Sequence, residues 1–401
     1  YYVTKNCVYH MNHVKKSGSC LSLEKTHQIT IEVILCNFSS NFAHINGGAI
    51  YLRNAKAVSI TSCLCHNNIA GDHGGFVYIS YSKKISFIQI TSIAGKANFG
   101  GSIACSRMES LHLIGCLFSK NVAGQLGGAL YVQSYALVAN DTVITNSMFA
   151  QNMALSGGAA VITHVQSIRI SLCLFYYNEV DFSGGAVVVE QISTLQLHKS
   201  IFDHNRASSN GGGMSLQFVN NLFIVKSRFK EHYSQKQGGV LSLNDFLLFV
   251  CKGSYFISNR GGTGGSIYLH SKDNEQNDPL LISIQNIFSK NNAKMDGGVF
   301  YCNGVNTIKF SSSLFYNNTG DKDGGSILVY ISKMILLLDC IFVNNYAGGG
   351  GGMGMLIDGY DLRIIDCHFK FNNACSSGGS LHINNINYIW GIQCHFENST
   401  S

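Results

Sequence analysis

A chain of 401 residues is longer than one hydrophobic core usually serves, so a compact globule of this length is expected to divide, whereas a repeat fold growing along one axis escapes that limit. Its composition, 46% hydrophobic but only 12% charged against about 25% charged in ordinary soluble domains, leaves few charges for solvated helix faces. The formal charge of +6 comes from 28 Lys and Arg spread along the whole chain, with no basic block to mark a nucleic-acid surface, and no apolar run reaches the roughly 20 residues of a membrane helix.

The sequence opens at Tyr1 with no initiator Met and no charged-then-apolar leader, so it reads as a segment of a longer secreted or surface protein. Self-similarity begins at once. The units Tyr9/Asn12, Phe38/Asn41 and Cys65/Asn68 are followed by a coil near Ser92 that lacks both markers. Phe-x-x-Asn then continues through Phe118/Asn121, Phe149/Asn152, Phe175/Asn178 and Phe202/Asn205 to Phe369/Asn372. About nine residues after each comes a Gly pair, from Gly47/Gly48 and Gly74/Gly75 to Gly378/Gly379, mostly 26 or 27 residues apart, with single steps of 30 and 33.

Within each repeat the apolar period is two, which signals strands. The second and fourth residues after the Gly pair are apolar (Ile50 and Leu52, Val187 and Val189), as are the seventh and fifth before the Phe (Val58 and Ile60, Ile168 and Ile170). Strands that recur every 27 residues without helices between them bury their inward faces by stacking in parallel. The predicted fold is therefore all-β, a right-handed parallel β-helix (solenoid) of about 14 coils, forming one domain over residues 1–401.

Each column has a structural reason. Stacked Phe rings fill the interior. Asn suits a turn that tolerates left-handed geometry and lets amides bond from coil to coil. Gly permits positive φ and close backbone approach. Cys36, Cys63, Cys340, Cys367 and Cys394 sit two residues before the Phe position, where other coils carry Ser. Neighbouring coils bring such cysteines within disulfide range, but their parallel Cβ directions favour stacked buried thiols. The longer coils, around Ser134 to Asp141 and Ser271 to Pro279, are expected as excursions toward solvent.

The units Gly47-Gly48-Ala49-Ile50, Gly127-Gly128-Ala129-Leu130 and Gly184-Gly185-Ala186-Val187, together with the Phe-x-x-Asn units, resemble the repeats of the chlamydial polymorphic outer-membrane proteins and of related protist surface proteins. The resemblance runs from about Tyr9 to Asn398. It implies a β-helical passenger displayed on the cell surface, with adhesion attributed to the repeats. Asn37, Asn140, Asn317 and Asn398 lie in Asn-x-Ser/Thr triplets and are candidate N-glycosylation sites.

Glycan-active β-helices need carboxylates gathered on one outer face. Here the outward residues after the Gly pairs include Arg53, Ser80, Gln133 and Glu190, a single acid, so no enzyme is expected. Asp296 and Asp323 before successive Gly pairs read as turn residues. No metal and no cofactor are expected, since zinc-type Cys and His spacing is absent. The third residue after the Gly pair is Tyr51, Tyr78, Tyr131, Tyr268 or Tyr301 in five coils and mostly apolar or small in the others, such as Ala104, Val161 and Val188, an outward aromatic and apolar stripe of the kind that meets proteins or glycans.

The functional expectation is an extracellular or cell-surface rod acting as an adhesin or interaction module. Its partners would be other proteins or cell-surface glycans, with self-association as a further option. The alternatives are a subunit of an extracellular filament or sheath, and a polysaccharide lyase or glycoside hydrolase.

Overall fold

The structure, a computed structural model, describes residues 1–24, 29–134, 141–272 and 278–401. These residues form an all-β parallel β-solenoid of about 14 turns, and no helix occurs among them. They gather into two compact units, Tyr1–Leu195 with Ser200–Arg206, and Gln196–Lys199 with Ala207–Ser401.

One coil of the first unit shows how the sequence makes the turn. Gly47 takes φ +60° and starts the strand Ile50–Arg53. Asn54, at φ +62°, bends the chain into Ala57–Thr61. Ser62, at φ +51°, turns it into Leu64–His66, and Asn67, also at φ +51°, into the short strand Ile69–Ala70. Within each unit the described strands pair in parallel with their counterparts one coil away. Ile50 aligns with Val77, Val77 with Ile103, Ile103 with Leu130 and Leu130 with Ala160. The second unit repeats the arrangement, with Met214 on Leu241, Leu241 on Ile267 and Ile267 on Phe300.

The alternation read from the sequence places the core. Ile50, Leu52, Val58 and Ile60 are buried within the coil. Phe149 stacks between Phe118 and Phe175 with ring centroids 4.9 and 5.0 Å apart, and Phe175 stacks on Phe202 at 4.4 Å. In the second unit the file runs from Phe229 through Phe256, Phe288, Phe315 and Phe342 to Phe369. Each buried ring contributes about 1.5–3 kcal/mol. Where Cys65 and Ser92 interrupt the file, Phe76 enters from the position after the Gly pair. It is fully buried and lies 5.3 Å from Phe38, so one wall supplies the volume that the other lacks.

The Asn column forms a closed amide ladder. Asn152 donates through Nδ2 to Asn178 Oδ1 at 3.0 Å, and Asn178 donates to Asn205 at 2.9 Å and to the Phe149 carbonyl at 2.9 Å. Each Oδ1 also accepts the backbone N–H of the preceding Asn, as Asn178 does from Asn152 at 3.0 Å. At Asn152 and Asn178 every amide hydrogen and oxygen has a buried partner. These Asn residues do not themselves take the left-handed turn expected of them: the residue just before each does, as at Ser40, Gln151 and Tyr177. The amide is thereby free to point inward.

The two glycines of each pair divide their tasks. The first supplies positive φ. The second admits a neighbouring backbone, since a methyl on Gly48 would collide with the Gly75 carbonyl, and one on Gly75 with that of Gly101.

Candidate functional site

Outside the coil interior, the strand that follows each Gly pair turns the side chain of its second residue outward. Tyr51 and Tyr78 stack there with centroids 5.8 Å apart, and Tyr268 and Tyr301 at 5.2 Å. The expected open stripe is corrected by burial: Tyr51 is only 8% exposed and Tyr131 7%, while Tyr78, Tyr268 and Tyr301 are half-buried. The physical reason is the tightness of the Gly turn, which brings the residue before the pair back over this face. His73 lies 5.4 Å from Tyr78 and 6.0 Å from Tyr131, and Phe99 lies 5.2 Å from Tyr131. Ala104, Tyr131, Val161 and Val188 close into a second apolar layer, with Tyr78, Phe99 and Leu126 packed on it.

In the second unit the covering residues are Asp296 and Asp323. Asp296 Oδ1 accepts the Asp323 N–H at 3.2 Å, and Asp323 Oδ1 accepts the Gly350 N–H at 2.7 Å. They serve as coil-to-coil acceptors, the role that Asn46 plays for the His73 N–H at 3.2 Å in the first unit. Burial raises the Asp296 carboxyl above its ordinary value, opposed by its bond from Asp323 and reinforced by the Asp323 charge. Burial also pushes the Tyr301 phenol up to about 12, with Tyr268, Tyr330 and Asp296 adding to it.

The face opens in the first unit into a cleft of about 240 Å³ lined by His73, Tyr78, Tyr81, Ser106, Arg107 and Gln133 among others. The Tyr78 hydroxyl lies 3.0 Å from Ser106 Oγ. At its rim the Tyr81 ring lies between two guanidiniums, with Cζ of Arg53 5.1 Å and of Arg107 4.7 Å from the ring centroid. Tyr81 and Arg107 occupy the left-handed corner, at φ +53° and +51°, which throws both side chains out from the coil.

Sequence reasoning identified Tyr78, Tyr131 and Arg53 but missed Tyr81 and Arg107. The seventh residue after the first Gly is Asn54, Asp245, Gly304, Asp358 or Asn385 in some coils but Phe218 and Ile331 in others, so a Tyr or an Arg there does not stand out in one dimension.

The thiol column is a hydrogen-bonded file. Cys36 Sγ donates to the Ile34 carbonyl at 3.2 Å and Cys63 Sγ to the Thr61 carbonyl at 3.3 Å, while Cys63 Sγ accepts the Cys36 N–H at 3.5 Å. Ser147 does the same work, accepting the Cys116 N–H at 3.1 Å and donating to the Thr145 carbonyl at 2.9 Å. Cys340 and Cys367 repeat the contact at 3.4 Å, and Cys394 donates to the Ile392 carbonyl at 3.4 Å. All fourteen cysteines are free thiols. Burial holds those of Cys63, Cys116 and Cys173 up at about 11.

Among the sequons, Asn37 is half-buried in the strand Asn37–Ser39, Asn317 sits half-buried at a corner with φ +54°, and Asn398 is exposed at φ +47°. Asn140 lies outside the described residues, as do 135–139 and 273–277 of the two longer coils. No group of three or more His, Cys, Asp or Glu able to hold a metal ion occurs among the described residues.

Comparison with known proteins adds to this geometry. Residues 35–53 and 115–133 match the Chlamydia polymorphic membrane protein repeat. Each matched segment runs from the corner before the Cys position through the Phe strand, the Asn and the Gly pair to the end of the next strand, so the match covers the columns that build the coil. The resemblance to that repeat family thus rests on two places in the chain. A stretch of 90 residues is 36% identical to the probable autotransporter YfaL of Escherichia coli strain K12, covering 22% of this chain and 7% of that protein. Among solved structures, a double mutant of the periplasmic alginate epimerase AlgG aligns over 91% of this chain and 77% of its own, with a TM-score of 0.32 and 10% identity.

Proposed function

We propose that this chain is a β-helical passenger segment of a cell-surface protein and works by contact, as an adhesive or interaction module. The observation that carries the reading is the pair of polymorphic membrane protein repeats at residues 35–53 and 115–133, supported by the partial likeness to an autotransporter. The fold is consistent with such work. A solenoid held by amide, thiol and aromatic files presents fixed outer side chains at coil intervals, so recognition needs no lid and no catalytic centre.

The test is labelling of intact cells that make the parent protein with an antibody to this chain, paired with binding of chain-coated beads to cell monolayers. Labelling of intact cells together with bead capture supports the reading. Labelling that appears only after the cells are opened, or beads that bind no better than albumin-coated ones, overturns it. The face to alter first is the cleft at Tyr78: the near-complete burial of Tyr51 and Tyr131 makes their replacement a test of folding rather than of contact.

A further inference from the structure

Arg53, Tyr81 and Arg107 stand on three successive coils of the first unit, since Ser80 aligns with Arg53 on one side and with Ser106 on the other. An aromatic ring between two guanidiniums fixes their planes by cation–π attraction. A guanidinium so fixed presents a planar fork of donors that matches a carboxylate bidentately. Arg53 also bonds the Tyr51 hydroxyl, so Arg107 is the guanidinium that faces a ligand, and Glu109, two residues on, pairs with Lys83 at 3.5 Å.

Beside the fork lies the cleft described above. Its floor is aromatic, from Tyr78 and Tyr131, and its walls carry the neutral polar groups of Ser106, Gln133 and the Tyr78 hydroxyl. Polar groups that converge from the walls over an aromatic floor fix the orientation of a small polar ligand. At about 240 Å³ it is below the roughly 300–1,000 Å³ of drug-sized cavities, which suits one ring of a longer ligand continuing into solvent. Neutral hydroxyl and amide groups suit sugar hydroxyls, the aromatic floor suits the C–H face of a sugar ring, and the fork suits an acid group on that ring.

We propose that this cleft binds a uronate unit of an acidic glycan, with Arg107 holding the carboxylate and the sugar ring lying over Tyr78 toward Gln133. Tyr81 is a positioning residue that holds the two guanidiniums. The proposal rests on the reading of the chain as a contact module and names the chemistry of one partner.

A short oligogalacturonate titrated calorimetrically into the whole chain tests it. The expected result is measurable binding that weakens by roughly tenfold or more when the carboxylates are methyl-esterified and by a similar factor in Arg107→Asn, the loss expected when a charge-assisted bidentate contact is removed. Asn takes left-handed geometry readily, so Arg107→Asn keeps the corner, and an unchanged melting temperature confirms that it has folded. Tyr81→Asn is expected to weaken binding severalfold. No binding by the wild type, equal affinity for acid and ester, or an Arg107→Asn variant that binds like wild type overturns the proposal. Dextran sulfate binding as tightly as the oligogalacturonate overturns the carboxylate assignment. Such a failure leaves cell-surface display standing, because that reading is judged by the labelling of intact cells.

Discussion

Asn178 shows what a single residue contributes to this fold. Its amide closes four contacts at once, to Asn152 on one side, to Asn205 on the other and to the Phe149 carbonyl. Asn178→Ala removes the buried partner of two Asn152 donors and of the Phe149 carbonyl, while Asn205 Oδ1 keeps the backbone N–H of residue 178. The expected loss is about 3 kcal/mol, since an unpaired buried polar group costs about 1–3 kcal/mol, and urea unfolding of the variant against wild type measures it. Asp296 makes a second residue-scale case. Its folded carboxyl titrates above the ordinary value of 3.8, so the folded state binds the proton more tightly than the unfolded chain. The associated stability is therefore complete below that ordinary value and is lost as pH rises through the raised one. Asp296→Asn keeps an oxygen to accept the Asp323 N–H, as Asn46 does for His73. Its melting temperature is expected to exceed that of wild type at pH 7 and to match it near pH 3.

At the scale of the element, the corners hold side chains that ordinarily avoid them. Ile331 sits at φ +57° with half its surface exposed, and Phe218 at φ +53°. A β-branched residue in this region is a genuine outlier, and the left-handed conformation costs roughly 1–2 kcal/mol for most side chains. The position tolerates it because the strand that carries it, Ile327–Leu338 or Met214–Val225, is paired with a neighbouring coil on both sides of the bend. Ile331→Asn removes little buried surface and relieves the strain, so it is expected to stabilise the fold by about 1 kcal/mol, read as a higher urea midpoint with unchanged slope. The Gly turn, by contrast, allows no such choice, because its second residue meets backbone from the next coil.

At the scale of the whole molecule, the regular columns were legible and the departures were not. The Gly, Phe, Asn and Cys positions repeat because each faces the same neighbours in every coil, and a pattern of that kind survives in one dimension. The corner residues did not announce their geometry, since Tyr81, Phe218 and Ile331 share no chemistry and the turn is imposed by stacking rather than by local preference. The burial of Tyr51 and Tyr131 was missed because the covering residue varies from Asn46 to His73, Phe99 and Asp296. The Arg53, Tyr81 and Arg107 group spans three coils and becomes visible only when they are stacked.

The thiols give a test at the same scale. Cys375 is exposed, while Cys63, Cys116 and Cys173 are buried, with pKa values near 11. The thiolate is the reactive form, so a thiol reagent at pH 7.5 is expected to modify Cys375 within minutes and the buried Cys63, Cys116 and Cys173 only after denaturation. Peptide mapping by mass spectrometry distinguishes the sites. Rapid native labelling of Cys63 or Cys116 would contradict the packing described.

The close approach at the second glycine also limits how such a chain can change over time. With carbonyl against Cα at Gly48, Gly75 and Gly101, inserting one residue within a strand would shift the rest of that strand to its opposite face, whereas the two longer coils add residues between strands and the pairing resumes beyond them, as Ser110 with Asp141. Duplication or loss of a whole coil of about 27 residues preserves every contact type. Length can therefore vary in whole steps while the walls stay nearly invariant, leaving the outer corner residues, Tyr81 and Arg107 among them, as the positions at which one copy can be made to recognise something that its neighbour does not.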